Sequence, residues 1–418
     1  MKGLLGLSAQ TRTRPLLLLG GGQALSAGLT LAYGKLTALY VPPAVWGEYS
    51  LLFAGLTLAH GLLITPTIQS YKAALARFPA PSTTAAYARL LGLLYTTLMP
   101  ALALAAGLYF QNPVFGLIWL AAVGQGLYQF GNESLNAAGR HRPFVLVQLA
   151  YALATLLGFG MLLLLGLTTT PTGLWLLLAG VNGLFAGLAL WRLRSRQPLP
   201  RAAAAERAAR WREYRHFVGP LLGLAGWNWL LNYADRYLIR YYLTDADVGQ
   251  YTMGYSLGSK VLLLVAPLLA LLSPRLLRMR ADGLPASAAN PLLLHYLIRY
   301  LLVGGLGCGL FWAGQSFFGS LLLADRYRAA FTIGPIVAVG YLSLTGIHLL
   351  ELKWYTFAQT RYIRWHTIAG TVLNLALNVL LIPRLGITGA ALATALGFAG
   401  QLGLVLLLFR PTQTNASA

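Results

Sequence analysis

The chain has 418 residues, of which 57% are hydrophobic and only 10% charged, and its mean hydropathy is +0.64. Soluble domains carry about 25% charged residues, so an ordinary soluble protein is excluded; the apolar content excludes a disordered chain, and a single cysteine, Cys308, excludes a disulfide framework. The formal net charge of +21, from 31 Lys and Arg against 10 Asp and Glu, would suggest nucleic acid in a soluble protein, but in a membrane protein it reports topology first, because retained cytoplasmic loops collect cations.

Apolar stretches long enough to span a bilayer run over residues 15–40, 49–67, 87–110, 112–137, 143–166 and 171–190, then over 217–243, 248–272, 291–318, 331–357, 363–382 and 387–409. Each is read as a helix, since lipid tolerates no exposed backbone polar groups. The fold class expected is therefore an all-α polytopic membrane protein with twelve transmembrane helices in two six-helix lobes around a central cavity. Residues 1–191 form the first lobe and 217–418 the second. With the N-terminus inside, 23 of the 31 cations fall on the inner side, which places both termini in the cytoplasm. A cleavable signal peptide is disfavoured because the first apolar stretch continues past the Ala24 to Ala27 region that would be cleaved.

Residues 192–216 form the longest polar interval and include Arg201, Arg207, Arg210, Arg212 and Arg215 among alanines. They are expected to make a basic linker helix on the anionic inner surface, with Trp211 at headgroup level. Membrane lipids, rather than nucleic acid, are the partner such a segment implies.

The two halves resemble each other. Gly47-Glu48-Tyr49-Ser50 matches Gly249-Gln250-Tyr251-Thr252 at an offset of 202, and in the same register Tyr33 corresponds to Asp235 and Tyr40 to Tyr242. Each half contains an even number of helices, so the repeats point the same way through the membrane, as alternating access between two lobes requires.

Ionisable residues inside the spans are costly, by about 2.5 to 3.5 kcal/mol each, and normally face protein or water. Five cations fall there: Lys35, Arg236, Arg240, Lys260 and Arg299. Lys260 lies near the midplane. Asn228, Asn232, Arg236 and Arg240 are spaced four apart and make one polar stripe. The like charges of Arg236 and Arg240 call for something negative nearby, either Asp235, Asp245 or Asp247, or an anionic ligand whose oxygens suit guanidinium forks. The embedded acids Glu133, Glu351 and Asp235 are candidates for carrying a coupling proton or sodium ion. A salt bridge with Arg140 or Lys353 is the plainer expectation for the two glutamates. His60, His295 and His348 are read as packing or hydrogen-bonding groups rather than a proton relay.

Enzyme signatures are missing: there is no HExxH, Walker A loop, nucleophile elbow or Cys and His cluster. Gly20-Gly21-Gly22 follows no strand and is read as a packing feature. No metal or organic cofactor is expected.

At Asn232-Tyr-Ala-Asp235-Arg236-Tyr-Leu-Ile, then Asp247-Val-Gly249-Gln-Tyr251 and Pro274, the sequence resembles the polysaccharide biosynthesis proteins, the O-antigen (Wzx-type) and exopolysaccharide flippases of the multidrug/oligosaccharidyl-lipid/polysaccharide exporter superfamily. Asn374, Asn378, Leu381-Ile382-Pro383 and Gly386-Ile-Thr-Gly389-Ala390-Ala391 agree with that pattern, as does Gly47-Glu48-Tyr49; Gln250 departs from the small apolar residue usual there. The resemblance covers nearly the whole chain. It implies a bacterial inner-membrane protein that moves an undecaprenyl-pyrophosphate-linked oligosaccharide from the inner to the outer leaflet, powered by a proton or sodium gradient and working beside polysaccharide assembly proteins. Only Asp235 and Arg236 carry over from a recognisable motif. The alternatives are a drug or metabolite antiporter of the same superfamily, a major-facilitator transporter, whose Gly-rich Asp-Arg loop is absent from Ser70 to Arg77, and a glycan-transferring membrane enzyme, which the short outer loops disfavour.

Overall fold

The computed structural model describes residues 9–77, 81–111, 114–194 and 204–409. Among these the chain forms α-helices and short 3₁₀ segments and no strand. The described residues of the twelve predicted apolar stretches lie on helices and the short turns between them. Among the described residues eight helical segments are long and apolar enough to cross a membrane by length and composition, so this is a multi-pass membrane protein.

The chain divides into two compact units. The first holds the described residues up to Val41 and those from Leu52 to Ala225. It contains α1 (Ala9–Tyr40), most of α2 (Pro43–Leu63), α3 (Thr65–Arg77), α4 (Pro81–Thr96), α5 (Leu98–Phe110), α6 (Val114–Ala137), α7 (His141–Leu164) and α8 (Pro171–Arg194). Asn182, fully buried on α8, ties three of these together: its amide nitrogen donates to the Ala121 carbonyl of α6 at 2.9 Å, and its oxygen accepts from Tyr151 of α7 at 2.7 Å. A buried amide with both ends satisfied fixes the register of apolar helices that dispersion alone would leave free to slide.

The second unit comprises Pro42–Leu51 and Gly226 onward. It contains the start of α2, the C-terminal part of α9 (Ala204–Tyr242) from Gly226 onward, α10 (Asp245–Gly258), a 3₁₀ segment at Ser259–Leu264, α11 (Val265–Ala281), α12 (Asn290–Ala313), α13 (Gln315–Leu322), α14 (Ala330–Thr356) and α15 (Thr360–Leu408). Its core is α14, buried along most of its length. Gly254 and Gly258 of α10 lie on the α14 backbone at the Ala330 and Gly334 carbonyls, the close approach that glycines four apart permit. Thr244 and Asp247 cap α10 reciprocally, each side chain accepting from the other's backbone N–H.

Two features of the elements differ from the sequence expectation. The linker helix is not separate: from Ala204 its basic residues run without a break into the seventh span as α9, 39 residues long, about 58 Å at 1.5 Å per residue. The alanines and arginines there are strong helix formers, so the helix propagates instead of stopping at the apolar boundary. Residues 195–203 of the linker lie outside the described part. The eleventh and twelfth spans likewise join into α15, interrupted only at Gly386, whose φ of 61° and ψ of −142° turn the chain through a region open essentially to glycine.

The repeat takes physical form inside the second unit. Gly47 sits against the Asp245 carbonyl and Gly249 against the Pro43 carbonyl, each too close for a Cβ, while Ser50 Oγ lies 3.3 Å from Thr252 Oγ1. Ser50 and Thr252 correspond at the offset of 202, and the offset turns the Gly47–Asp245 contact into the Gly249–Pro43 contact, so the starts of α2 and α10 cross as a self-complementary pair.

Candidate functional site

Asn228, Asn232, Arg236 and Arg240 lie on one helix, α9. Asn232 Nδ2 donates to the Asn228 carbonyl at 2.7 Å, and Arg240 Nε pairs with Asp245 Oδ1 at 2.5 Å in a half-exposed bridge. Asp245 therefore supplies the negative charge expected beside Arg240. Arg236 has no carboxylate in bridging distance among the described residues. Its guanidinium lies 4.3 Å over the Tyr233 ring and 5.3 Å from that of Tyr255, held by cation–π attraction, and its Nε has no hydrogen-bond partner there.

Asp235 points away from the stripe, into the core, where it is 3% exposed. Oδ2 accepts from Tyr251 Oη at 2.5 Å and Oδ1 accepts from the Arg236 N–H at 2.8 Å. Tyr251 Oη also lies 3.3 Å from Thr394 Oγ1 on α15. Beside Thr394, Asn374 Nδ2 donates to the Ala393 carbonyl at 3.2 Å, and Asn378 Nδ2 donates to Asn374 Oδ1 at 3.0 Å. Tyr255 and Tyr341 close the far side, hydroxyl to hydroxyl at 2.8 Å. A buried acid is thus linked through Tyr251 of α10 to Thr394 of α15, with the Asn374–Asn378 pair and the Tyr255–Tyr341 pair as separate hydrogen-bonded neighbours. The tyrosines escaped the sequence reading because buried tyrosines usually just pack; the one pointer was the position of Tyr251 inside the repeated Gly-Gln-Tyr-Thr.

Lys260 sits in the 3₁₀ segment where α10 gives way to α11. Interrupted helices in membrane proteins free backbone groups only where they face protein or water. Its side chain is exposed, and no described carboxylate lies within 4 Å of it. Arg299, on α12, is likewise exposed and unbridged among the described residues. Lys35 belongs to the first unit, on α1, half-buried. The structure thus gathers Arg236, Asp235 and the stripe around one cluster, and leaves Lys260 and Arg299 as separate exposed cations of the second unit.

The two embedded glutamates pair differently from expectation. Glu133 of α6 accepts from Lys72 of α3 at 2.9 Å, not from Arg140; Arg140 stands beyond the helix end, two turns from Glu133, while Lys72 faces it from the neighbouring helix. Glu351 is bridged not to Lys353 but to two histidines, His348 Nδ1 at 2.9 Å and His366 Nε2 at 3.2 Å. Residues two apart on a helix point to nearly opposite sides, so Lys353 instead donates to Asn290 Oδ1 at 2.7 Å and lies 4.1 Å over the Phe409 ring. No group of His, Cys, Asp and Glu suited to a metal ion occurs among the described residues.

The fold is that of the MOP-superfamily transporters. The chain is similar to the inward-facing structure of a multidrug resistance MATE family transporter of that superfamily, at 13% identity and a TM-score of 0.68, over 98% of this chain and 95% of the other. It is similar to the lipid II flippase MurJ in an inward closed conformation, at 13% identity and a TM-score of 0.66, over 94% and 88%, and to a mutant of the Vibrio cholerae MATE transporter VcmN, at 13% identity and a TM-score of 0.57, over 96% and 95%. These neighbours are transporters and a flippase rather than enzymes. No protein-family model matches the chain, and no curated protein sequence does either.

Proposed function

We propose that this protein is a flippase that carries an undecaprenyl-pyrophosphate-linked oligosaccharide from the inner to the outer leaflet of the bacterial inner membrane by alternating access. The observation that carries the proposal is that Lys260, in the 3₁₀ segment between α10 and α11, and Arg299, on the apolar helix α12, are exposed, with no carboxylate bridging them among the described residues. Cations kept in such positions at a cost of a few kcal/mol are suited to a polyanionic headgroup, and a pyrophosphate offers oxygens both to an ammonium and to a guanidinium fork. Arg236, resting on tyrosine rings and not bridged to a carboxylate among the described residues, is a third contact. The polyprenyl tail stays in lipid while the head moves. Likeness to a lipid II flippase supports a lipid-linked substrate. Reconstituted vesicles carrying a fluorescent pyrophosphate-linked sugar test the proposal: a dithionite-protected pool should become accessible with wild-type protein and stay protected with the Lys260→Ala, Arg299→Ala double variant.

A second function has its own support. Likeness to multidrug MATE transporters, together with the buried acid Asp235, fits ion-coupled export of a small molecule. Uptake of cationic dyes into the same vesicles discriminates, since exposed cations in the spans would repel such dyes.

A further inference from the structure

Glu351 is a buried carboxylate held by two imidazoles. His348 comes from one turn earlier on α14 and has a side chain 38% exposed. His366 comes across from α15 and is fully buried. His366 Nε2 stands 3.2 Å from Glu351 Oε1, near enough for an ion pair but not aligned as a hydrogen bond, and is left without a hydrogen-bond partner. On the other side of the ring, Nδ1 lies 3.0 Å from the amide nitrogen of Gln401, also buried on α15. The Gln401 oxygen has no partner. Trp354 stacks on the His366 ring at 5.6 Å with an interplanar angle of 29°.

An amide nitrogen only donates, so in this arrangement His366 Nδ1 is an acceptor, the ring is neutral, and its proton is on Nε2. Charging the ring puts a proton on both nitrogens. The Nε2 proton then faces a carboxylate, and the Nδ1 proton needs an acceptor, which Gln401 supplies when its amide turns by 180° and presents its unpartnered oxygen. The absence of a side chain at Gly370 leaves room at the amide, because a Cβ there would stand 2.6 Å from its carbon. The indole face of Trp354 favours the cationic ring over the neutral one.

Other charged and titratable groups on the packed elements are engaged elsewhere. On α14 itself Lys353 is held by Asn290 of α12, and Tyr355 is exposed. Arg280 of α11 donates to the Thr356 carbonyl at 2.5 Å. On α15 Arg361 donates to Tyr362, whose ring stacks on Trp354, and Arg364 is exposed. His295 of α12 is exposed beside Tyr296. The acids of α10, Asp245 and Asp247, are taken up by Arg240 and Thr244, and Asp235 of α9 by Tyr251. Among the described residues no second carboxylate pairs with either histidine.

We propose that His348, Glu351 and His366, with Gln401 as the partner that follows the protonation state, form a proton-binding site joining α14 to α15. Protons enter at half-exposed His348. Loading the site with one proton on each ring turns a carboxylate between two neutral imidazoles into an imidazolium–carboxylate–imidazolium bridge and fastens α14 to α15 at this point. The site is independent of which substrate is carried.

Ring-nitrogen NMR of ¹⁵N-histidine-labelled full-length protein in lipid nanodiscs tests it, with His366 assigned by loss of its signals in His366→Asn. On acidification His366 should gain its second ring proton, read from its ring-nitrogen signals. Gln401→Leu and Glu351→Gln should each require about tenfold more acid for the same change, the equivalent of losing one charge-stabilising hydrogen bond. If Glu351→Gln does not fold, Gln401→Leu decides alone. A His366 that stays neutral down to pH 5 overturns the proposal, as does a titration that neither variant moves. Transport is not read, so this outcome stands apart from that of the flipping assay.

Discussion

Tyr251 holds one end of a buried carboxylate, and a single oxygen atom distinguishes it from phenylalanine. Tyr251→Phe leaves Asp235 Oδ2 without its 2.5 Å donor, and an unmade bond at a buried polar group costs about 1 to 3 kcal/mol. Thermal unfolding in detergent should show that loss. Asp235→Ala removes the acceptor of both the Tyr251 hydroxyl and the Arg236 N–H, two bonds instead of one, and should cost more than Tyr251→Phe. Equal stability of the two variants and wild type would mean the cluster holds nothing together. For the exposed cations the expectation is reversed: Lys260→Ala or Arg299→Ala should leave stability unchanged and weaken binding of a pyrophosphate lipid by about tenfold or more, since bonds to charged groups are worth about 1.5 to 3 kcal/mol. At this scale the sequence marked the embedded ionisable residues but not their partners. Burial cost singles out Glu133, Glu351 and Asp235 from composition alone, whereas Lys72, His366 and Tyr251 reach them across helices, and a one-dimensional pattern holds no information on which faces meet.

Helices α2 and α10 begin at a crossing that forbids a methyl group. Gly249→Ala would press a Cβ into the Pro43 carbonyl and Gly47→Ala into that of Asp245. Backbone cannot move aside as a side chain can, so each variant should lose at least about 1 to 3 kcal/mol, seen as a lower unfolding temperature, and the double variant should lose less than the sum because the first already separates the helices. Full additivity would contradict the shared contact. The repeat itself was legible, because corresponding tetrapeptides stand at a fixed offset; that they also touch was not, since the spacing of two motifs says nothing of whether their helices cross. Apolar runs located the eight segments that are long and apolar enough to span among the described residues, for the plain reason that lipid demands continuous apolarity. Helix ends were harder. No breaker separates the arginine-rich segment from the seventh span, so α9 continues, and only the backbone angles of Gly386 show that the bend in α15 is a kink and not a loop.

Over the whole chain the cations are distributed to fix orientation, and the lone cysteine makes that testable. Cys308 is buried, so wild-type protein should take up little of a membrane-impermeant maleimide. Ser320→Cys, in an outer turn by the charge pattern, should label in intact cells, and Ala281→Cys, beside Arg278 and Arg280 at the end of α11, only after permeabilisation. Labelling of Ala281→Cys in intact cells would invert the topology and with it the direction of transport. The most direct test of the central claim is the rate at which reconstituted protein moves a fluorescent pyrophosphate-linked sugar across a vesicle bilayer, compared between wild type and the Lys260→Ala, Arg299→Ala double variant. Exposed cations that serve the diphosphate require a fast wild type and a rate at least about tenfold lower in the folded double variant. Equal rates in the two, or no movement by folded wild-type protein, would contradict the account.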